Sequence, residues 1–532
     1  MTMFVKAGSA GLLAVLLAGA SSAALAQGAA AAQDPRDAKI EQLETELQAL
    51  AAQVADLKRG QAAQIQTIQT IQDKAPPPPG VITAFANGRP TFSTPDGRFS
   101  ATLHGVMQLD TGAFLQKSPG PLAIDLRRDG PAIGSSGIEN LHARDLKAGT
   151  LFRRARLGVD GTAYGDFDYR VLLDFGGSGV ENAGQIYETW VQYNGLKPAH
   201  LRIGAFSPSI GLEDQGSTNG IPFVERSGPE DAARNLAAGD TRIAAQAFAY
   251  GDHWFASAAV TGRTVGVINT GTASATAPTY GDQLGFVGRV AGTPASGKDW
   301  LVHVGAHGSY VARPANTAGP AGLNGNTDPT TLSVSLNDTP ELRVDGTKLV
   351  DTGKIDARHA GSAGVEFAAQ RQNLLLQAEY EYFQVERAKA GVSDPHFSGF
   401  YVAATWTLTG EARKYNTTTA AFDAPPVAHP FSLKDGGWGA WELGLRYADL
   451  DLNYHAGAAG TAPAADAIRG GDQQILTAGL NWYLNPVVRF VFDFQHVKIN
   501  RLSPSAVNFA TPTGAQIGQT YNAVALRSQV AF

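Results

Sequence analysis

The sequence predicts an all-β chain: a transmembrane antiparallel β-barrel of about 16 strands (16–18), preceded by an N-terminal coiled-coil helix. Three observations predict it. The chain opens on an export signal. From Phe99 onward, polar and apolar residues alternate with period two, in segments of about the ten residues that a tilted strand needs to cross a bilayer. The last alternating segment stops on an aromatic, Phe532. In lipid no strand edge can stay unpaired, so such a sheet must close on itself.

Composition narrows the class. The 532 residues carry 42 basic and 48 acidic side chains, a net charge of −6. That balance leaves no basic footprint, so no nucleic-acid partner is expected. Zero cysteines exclude a disulfide framework, thiolate zinc sites and cysteine nucleophiles. With 17% charged residues and 61 glycines, the chain fits neither charge-driven disorder nor a helical membrane protein.

Residues 1–26 read as a signal peptide. Lys6 supplies the positive start, and Ala10 to Ala20 is an apolar run too short to span a bilayer. Ala24-Leu25-Ala26 suits cleavage before Gln27. Residues 27–75 read as a helical stalk. Ile40, Leu43, Leu47, Leu50, Val54 and Leu57 alternate spacings of three and four, the seam of a heptad repeat. Gly60 interrupts it, and Ile65 and Ile68 resume out of phase. A coiled coil needs a partner chain, so a homo-oligomer is expected. Pro76 to Pro79 begin a stiff linker over 76–98, and 99–532 is the barrel domain.

Within that domain the two faces separate cleanly. Leu157 and Val159 oppose Arg154, Arg156 and Asp160. Val171 and Leu173 oppose Asp168, Arg170 and Asp174. Trp441, Leu443 and Leu445 oppose Glu442 and Arg446, and Phe490, Phe492 and Phe494 oppose Arg489 and Asp493. A soluble sandwich alternates too, but the signal peptide, the terminal Phe532 and the aromatics at strand ends favour a membrane barrel. Tyr187, Trp190, Tyr193, Tyr401, Trp406, Trp482 and Tyr483 are expected in its interface girdles. Roughly 24–28 residues per strand and connection give about 16–18 strands, enough for an aqueous lumen. Inserts at 264–282, 312–340 and 455–471 are expected as long external loops.

Several segments then resemble the phosphate-selective porin O and P family. They include Arg153-Arg154-Ala155-Arg156-Leu157-Gly158, Arg202-Ile203-Gly204, and Gly211-Leu212-Glu213-Asp214 running to Phe223-Val224-Glu225-Arg226-Ser227. Leu349-Val350-Asp351-Thr352-Gly353, Leu408-Thr409-Gly410-Glu411, Gly436-Gly437-Trp438-Gly439-Ala440-Trp441-Glu442 and Asn481-Trp482-Tyr483-Leu484-Asn485-Pro486 follow in family order. The resemblance implies a homotrimeric channel in the outer membrane, set among lipid and lipopolysaccharide. A loop folds into its lumen, and arginines line a path for inorganic anions, phosphate among them. Cationic side chains replace part of an anion's hydration and oppose cations, and guanidinium suits phosphate because it donates two parallel hydrogen bonds.

By alternation, Arg154, Arg156, Arg170, Arg202, Arg446, Arg489 and Arg527 fall on the lumen face. Arg226 follows the expected constriction loop, Ser207 to Phe223, which holds Glu213 and Asp214 but no lysine or arginine. Asp160, Glu188, Glu379, Glu381, Glu442 and Asp493 share the lumen face and are available to pair with the arginines. No P-loop, nucleophile elbow or His-Glu-x-x-His occurs, so no enzyme activity and no cofactor are expected. His303 and His307 share a strand face without a third ligand nearby in sequence, so no metal site is expected. The expected function is passive diffusion through an anion-preferring pore. The alternatives are a structural tether with a general pore, through the stalk, and an outer-membrane barrel hydrolase.

Overall fold

The computed structural model describes residues 45–61, 80–86, 88–116, 146–177, 184–239, 241–265, 283–315, 332–503 and 513–532, with Lys39 and Leu43 besides. The signal peptide, Ile40, Ile65, Ile68 and the Pro76–Pro79 run lie outside these residues, as does nearly all of the 264–282 insert. The chain divides into two units, Met1–Pro77 and Pro78–Phe532. In the first, 45–61 is helical, and Leu43, Leu47, Leu50, Val54 and Leu57 are all exposed.

The second unit is a closed barrel of sixteen antiparallel strands. Its first eight wall strands are Ser100–Leu115, Gly149–Ala163, Phe167–Asp174, Gln185–Leu196, Ala199–Phe206, Arg242–Tyr250, Trp254–Thr264 and Leu284–Gly297. The other eight are Trp300–Arg313, Ile355–Arg371, Leu374–Arg387, His396–Thr407, Ala440–Tyr454, Ile468–Tyr483, Val488–Asn500 and Thr520–Ala531. Each pairs with the next, and the last closes on the first, with Asn522 opposite Leu115 and Ala531 opposite Val106. The terminal Phe532 completes the seam by exchanging two backbone hydrogen bonds with Gly105, each 2.9 Å.

Alternation decides what each face meets. Outward side chains such as Leu157, Val290, Val365 and Leu445 are apolar and exposed, a surface that lipid solvates and water does not. Near the end with short turns, Trp254, Trp300, Trp406 and Trp438 are exposed, and the Trp441 and Trp482 rings stack 5.0 Å apart. Toward the long-loop end, Tyr310, Tyr382, Phe400 and Tyr447 stand outward. These two rings of aromatics flank the apolar wall.

Four of the aromatics expected there belong elsewhere. Tyr187, Trp190, Tyr401 and Tyr483 are buried and point inside. Strand parity places Trp190, Tyr401 and Tyr483 with arginines and glutamates, with Trp190 under Arg202 and Tyr483 hydrogen-bonded to Glu442, whereas Tyr187, of opposite parity to Trp190, turns in at a register shift. Nearness to a strand end did not outweigh parity.

Two further readings need correcting. Inside the expected linker, Ile82–Ala86 and Arg89–Ser93 form a hairpin, and its second strand pairs with Ser100–Thr102. The described part of the 312–340 insert turns inward rather than outward. Leu336, Leu342, Leu349 and Val350 are apolar and pack with Ala232, Ala233 and Leu236, so burial pulls this segment into the barrel.

Candidate functional site

The inner path is shaped by three infolded segments. The first, between strands ending at Phe206 and starting at Arg242, carries a short helix, Leu212–Gln215, and an inner helix, Gly228–Ala237. Pro229 suits the first turn of the inner helix, with Glu230 and Asp231 beside it, where its dipole favours acids. Phe223 anchors the segment among Tyr401, Ala403 and Ala448. Glycine in the wall makes room: a Cβ at Gly444 would sit 3.0 Å from the Phe223 ring. Val224 N–H donates to Asp493 at 2.8 Å, and Asn481 donates to Pro222 O at 2.8 Å. The second segment is 332–354. The third, 408–439, enters from the short-turn end, and Arg413 ties it to Glu442 by two bonds of 2.7 Å and to Gly220 O at 2.9 Å.

All eight expected arginines face inward. Six meet a carboxylate. Arg156 binds Asp174 at 2.8 Å and lies 3.3 Å from the centre of the Tyr187 ring. Arg170 binds Glu188 at 2.8 Å. Arg446 bridges Glu213 at 2.7 Å and Glu341 at 2.5 Å. Arg527 grips Asp110 through two bonds of 2.7 Å and reaches Glu225 at 3.0 Å. Arg154 donates to Gln108 at 2.6 Å and lies 3.5 Å from Glu225. Arg226 caps the carbonyl of Asp214 at 3.1 Å, with the Asp214 carboxylate at 3.7 Å.

The other two have no carboxylate within ion-pair distance among the described residues. Arg202 donates twice to Gln192 Oε1, at 2.9 and 2.6 Å, and stacks 4.2 Å from the Trp190 ring centre. Arg489 donates to the carbonyls of Asn219 at 2.8 Å and Ile221 at 2.5 Å, and to Asn481 Oδ1 at 2.5 Å. Among the described residues its Nε has no acceptor. Arg489 borders a cavity of about 580 Å³ at the short-turn mouth, lined also by Arg89, His104, Asn219, Gln529 and Phe532.

Alternation missed other inner cations. Arg153 follows the outward parity, yet a bulge between Gln108 and Leu109 frees it to bind Glu225 at 2.6 Å. Arg289, on a wall strand, holds Glu366 through bonds of 2.8 and 2.7 Å. Arg343 and Arg413 lie in segments read as connections. Around Glu225, burial favours the neutral acid, but Arg153, Arg154 and Arg527 together hold its carboxyl well below the usual range. The two histidines also gain partners that sequence spacing did not show. Glu366 lies 3.0 Å from His303 and 2.9 Å from His307, and Glu381 lies 2.5 Å from His307.

Chemically, the arrangement is a water-accessible mouth with guanidinium groups, leading to a waist where loops and wall are stapled by charge pairs. Residues 135–532 match the model of a family described as "Phosphate-selective porin O and P". Porin O of Pseudomonas aeruginosa is 24% identical over 365 residues, covering 66% of this chain and 77% of that protein. An uncharacterized protein of Caulobacter vibrioides is 26% identical over 494 residues, covering 91% of this chain and 89% of its own. Among solved structures, an anion-selective porin from Comamonas acidovorans aligns with a TM-score of 0.43 at 14% identity, covering 82% of this chain and all of the other. With its closed wall, apolar outer face and charged interior, this chain is an outer-membrane porin and belongs to the phosphate-selective porin O and P family.

Proposed function

We propose that the pore passes anions in preference to cations by passive diffusion, with phosphate as a candidate solute. One observation carries the reading: Arg489, at the mouth cavity, and Arg202 present guanidinium groups inward, held by neutral acceptors and with no carboxylate within ion-pair distance among the described residues. A guanidinium held by neutral acceptors keeps its full charge toward a passing ion. Membership of a family described as phosphate-selective supports the solute class. The 207–223 stretch carries Glu213 and Asp214 and no lysine or arginine, which argues for weak rather than tight phosphate selection. The working unit is read as a homotrimer, joined in part through the exposed Leu43, Leu47, Leu50, Val54 and Leu57 seam. Residues 1–26 are read as the export signal, and lipid and lipopolysaccharide as the surroundings of the wall.

Planar-bilayer recording tests the reading. In a potassium chloride gradient the reversal potential should report chloride preference, and Arg489→Gln should reduce it while leaving an open pore. Cation preference in the parent protein, or an unchanged reversal potential in the variant, would remove the proposal. Phosphate at low concentration should slow chloride current only weakly.

A further inference from the structure

Beyond the anion path, and independent of it, the interior holds a group of carboxylates that its own cations do not balance. Glu230, in the first turn of the inner helix, is fully buried, and neither of its oxygens has a hydrogen-bond partner among the described residues. It faces Glu379 and Glu381, two positions apart on the wall strand Leu374–Arg387 and therefore on one face. One oxygen from each of the three lies within 4.8 Å of the others.

Charge accounting separates these groups from their neighbours. Glu366 is neutralised by the two bonds from Arg289. His307 contacts Glu366 through Nδ1 at 2.9 Å and Glu381 through Nε2 at 2.5 Å. With both nitrogens held by carboxylates it is closed to a metal. Among the described residues Glu379 accepts from neutral donors: the N–H of Leu212, the N–H of Glu213 at 2.8 Å and the Tyr401 hydroxyl at 2.6 Å. Glu381 keeps one oxygen without a partner. Ionised together, Glu230 and Glu379 would place two buried negative charges side by side with no ion-pair partner among the described residues, an arrangement strongly unfavourable unless a counter-charge enters. Missing side chains let the carboxylates pack directly against the backbone. A Cβ at Gly211 would fall 2.1 Å from Glu230 Oε1, and one at Gly364 would fall 2.5 Å from Glu381 Oε1. Both positions are glycine.

We propose that Glu230, Glu379 and Glu381 bind one hard divalent cation of the calcium class, clamping the inner helix to the barrel wall. The donor set is all oxygen, which suits calcium or magnesium over softer metals. Calcium–oxygen distances of about 2.4 Å allow ligand oxygens up to about 4.8 Å apart, and the three oxygens here lie within that limit. Two uncompensated carboxylates match the charge of one such ion, and irregular carboxylate geometry favours calcium over the stricter octahedron of magnesium.

The test uses the full chain, refolded in detergent free of lipopolysaccharide and stripped with chelator. Terbium, a luminescent calcium substitute, is titrated in and competed with calcium. Tyr401, hydrogen-bonded to Glu379, is placed to sensitise its emission. The expected result is one calcium-displaceable ion per chain, with affinity lowered about tenfold or more by Glu230→Gln. Asp449→Asn, in a separate acidic group, should leave it unchanged. Calcium calorimetry on the parent protein gives a reading that needs no variant. Absence of a calcium-displaceable site, or equal affinity in Glu230→Gln, would overturn the proposal and leave a proton shared between carboxyls as the balance of charge.

Discussion

An arginine inside a barrel must be both satisfied and paid for in desolvation, and the partners chosen here show how. Arg446 and Arg527 come from the wall, while Glu213, Glu225 and Glu341 come from infolded segments. Each pair is therefore a staple between parts that sequence separates by more than a hundred residues. Removing one member leaves the others buried and uncompensated. Arg446→Ala should cost ~3–5 kcal/mol, because Glu213 and Glu341 both lose their cation. The measurement is chemical denaturation of the folded porin, with protease cutting between 207 and 241 as a local readout. Loss of less than about 1 kcal/mol, the scale of an exposed pair, would mean water reaches these acids. Inward arginines were legible from period two alone, because parity is strict along regular strands. Arg153 was not, because a bulge breaks parity and no residue type marks it. Tyr401 and Tyr483 were misplaced for the opposite reason: their aromatic character was given more weight than the parity that sets them beside Glu379 and Glu442.

Strands were readable as elements, since a sixteen-strand wall repeats one simple pattern. The infolded segments were readable only in part. The segment after Ser207 was expected in the lumen, but 332–354 and 408–439 looked like ordinary connections. Their docking depends on long-range contacts such as Leu336 and Leu342 against the inner helix, which have no local signature. Docking of 332–354 should also respond to pH. Asp338 accepts from Gln473 at 2.5 Å. Burial, reinforced by Asp231, pushes its carboxyl from 3.8 up to about 7. The docked state therefore binds a proton more tightly than the released state does. Its stability falls as pH rises from about 4 to about 7 and stays low above that. Hydrogen-exchange protection across 332–354, taken relative to the intrinsic rate at each pH, should be higher at pH 5 than at pH 8, and Asp338→Asn should flatten that difference. Protection that falls on acidification would contradict the sign.

At the scale of the whole molecule, one chain meets three solvents: water at both rims, lipid or a neighbouring protomer outside, and a narrow charged interior. Single-residue steps switch between the last two. Leu445 is half exposed on the outer wall, and its neighbour Arg446 is 1% exposed inside. The same residue type thus has opposite effects one position apart. Arg446 is stabilising where it stands because two carboxylates await it, whereas Leu445→Arg would push a guanidinium into hydrocarbon with no partner. Near the middle of the membrane that change should cost ~2–4 kcal/mol. The cost should shrink in detergent, whose thinner and more mobile micellar belt lets the guanidinium reach water, and should persist in full when the barrel is unfolded from lipid vesicles. Measuring both environments separates lipid contact from simple loss of packing, since packing would be lost equally in each. An equal cost in both would mean that the 445 position faces protein rather than acyl chains, and would place it within the contact between protomers.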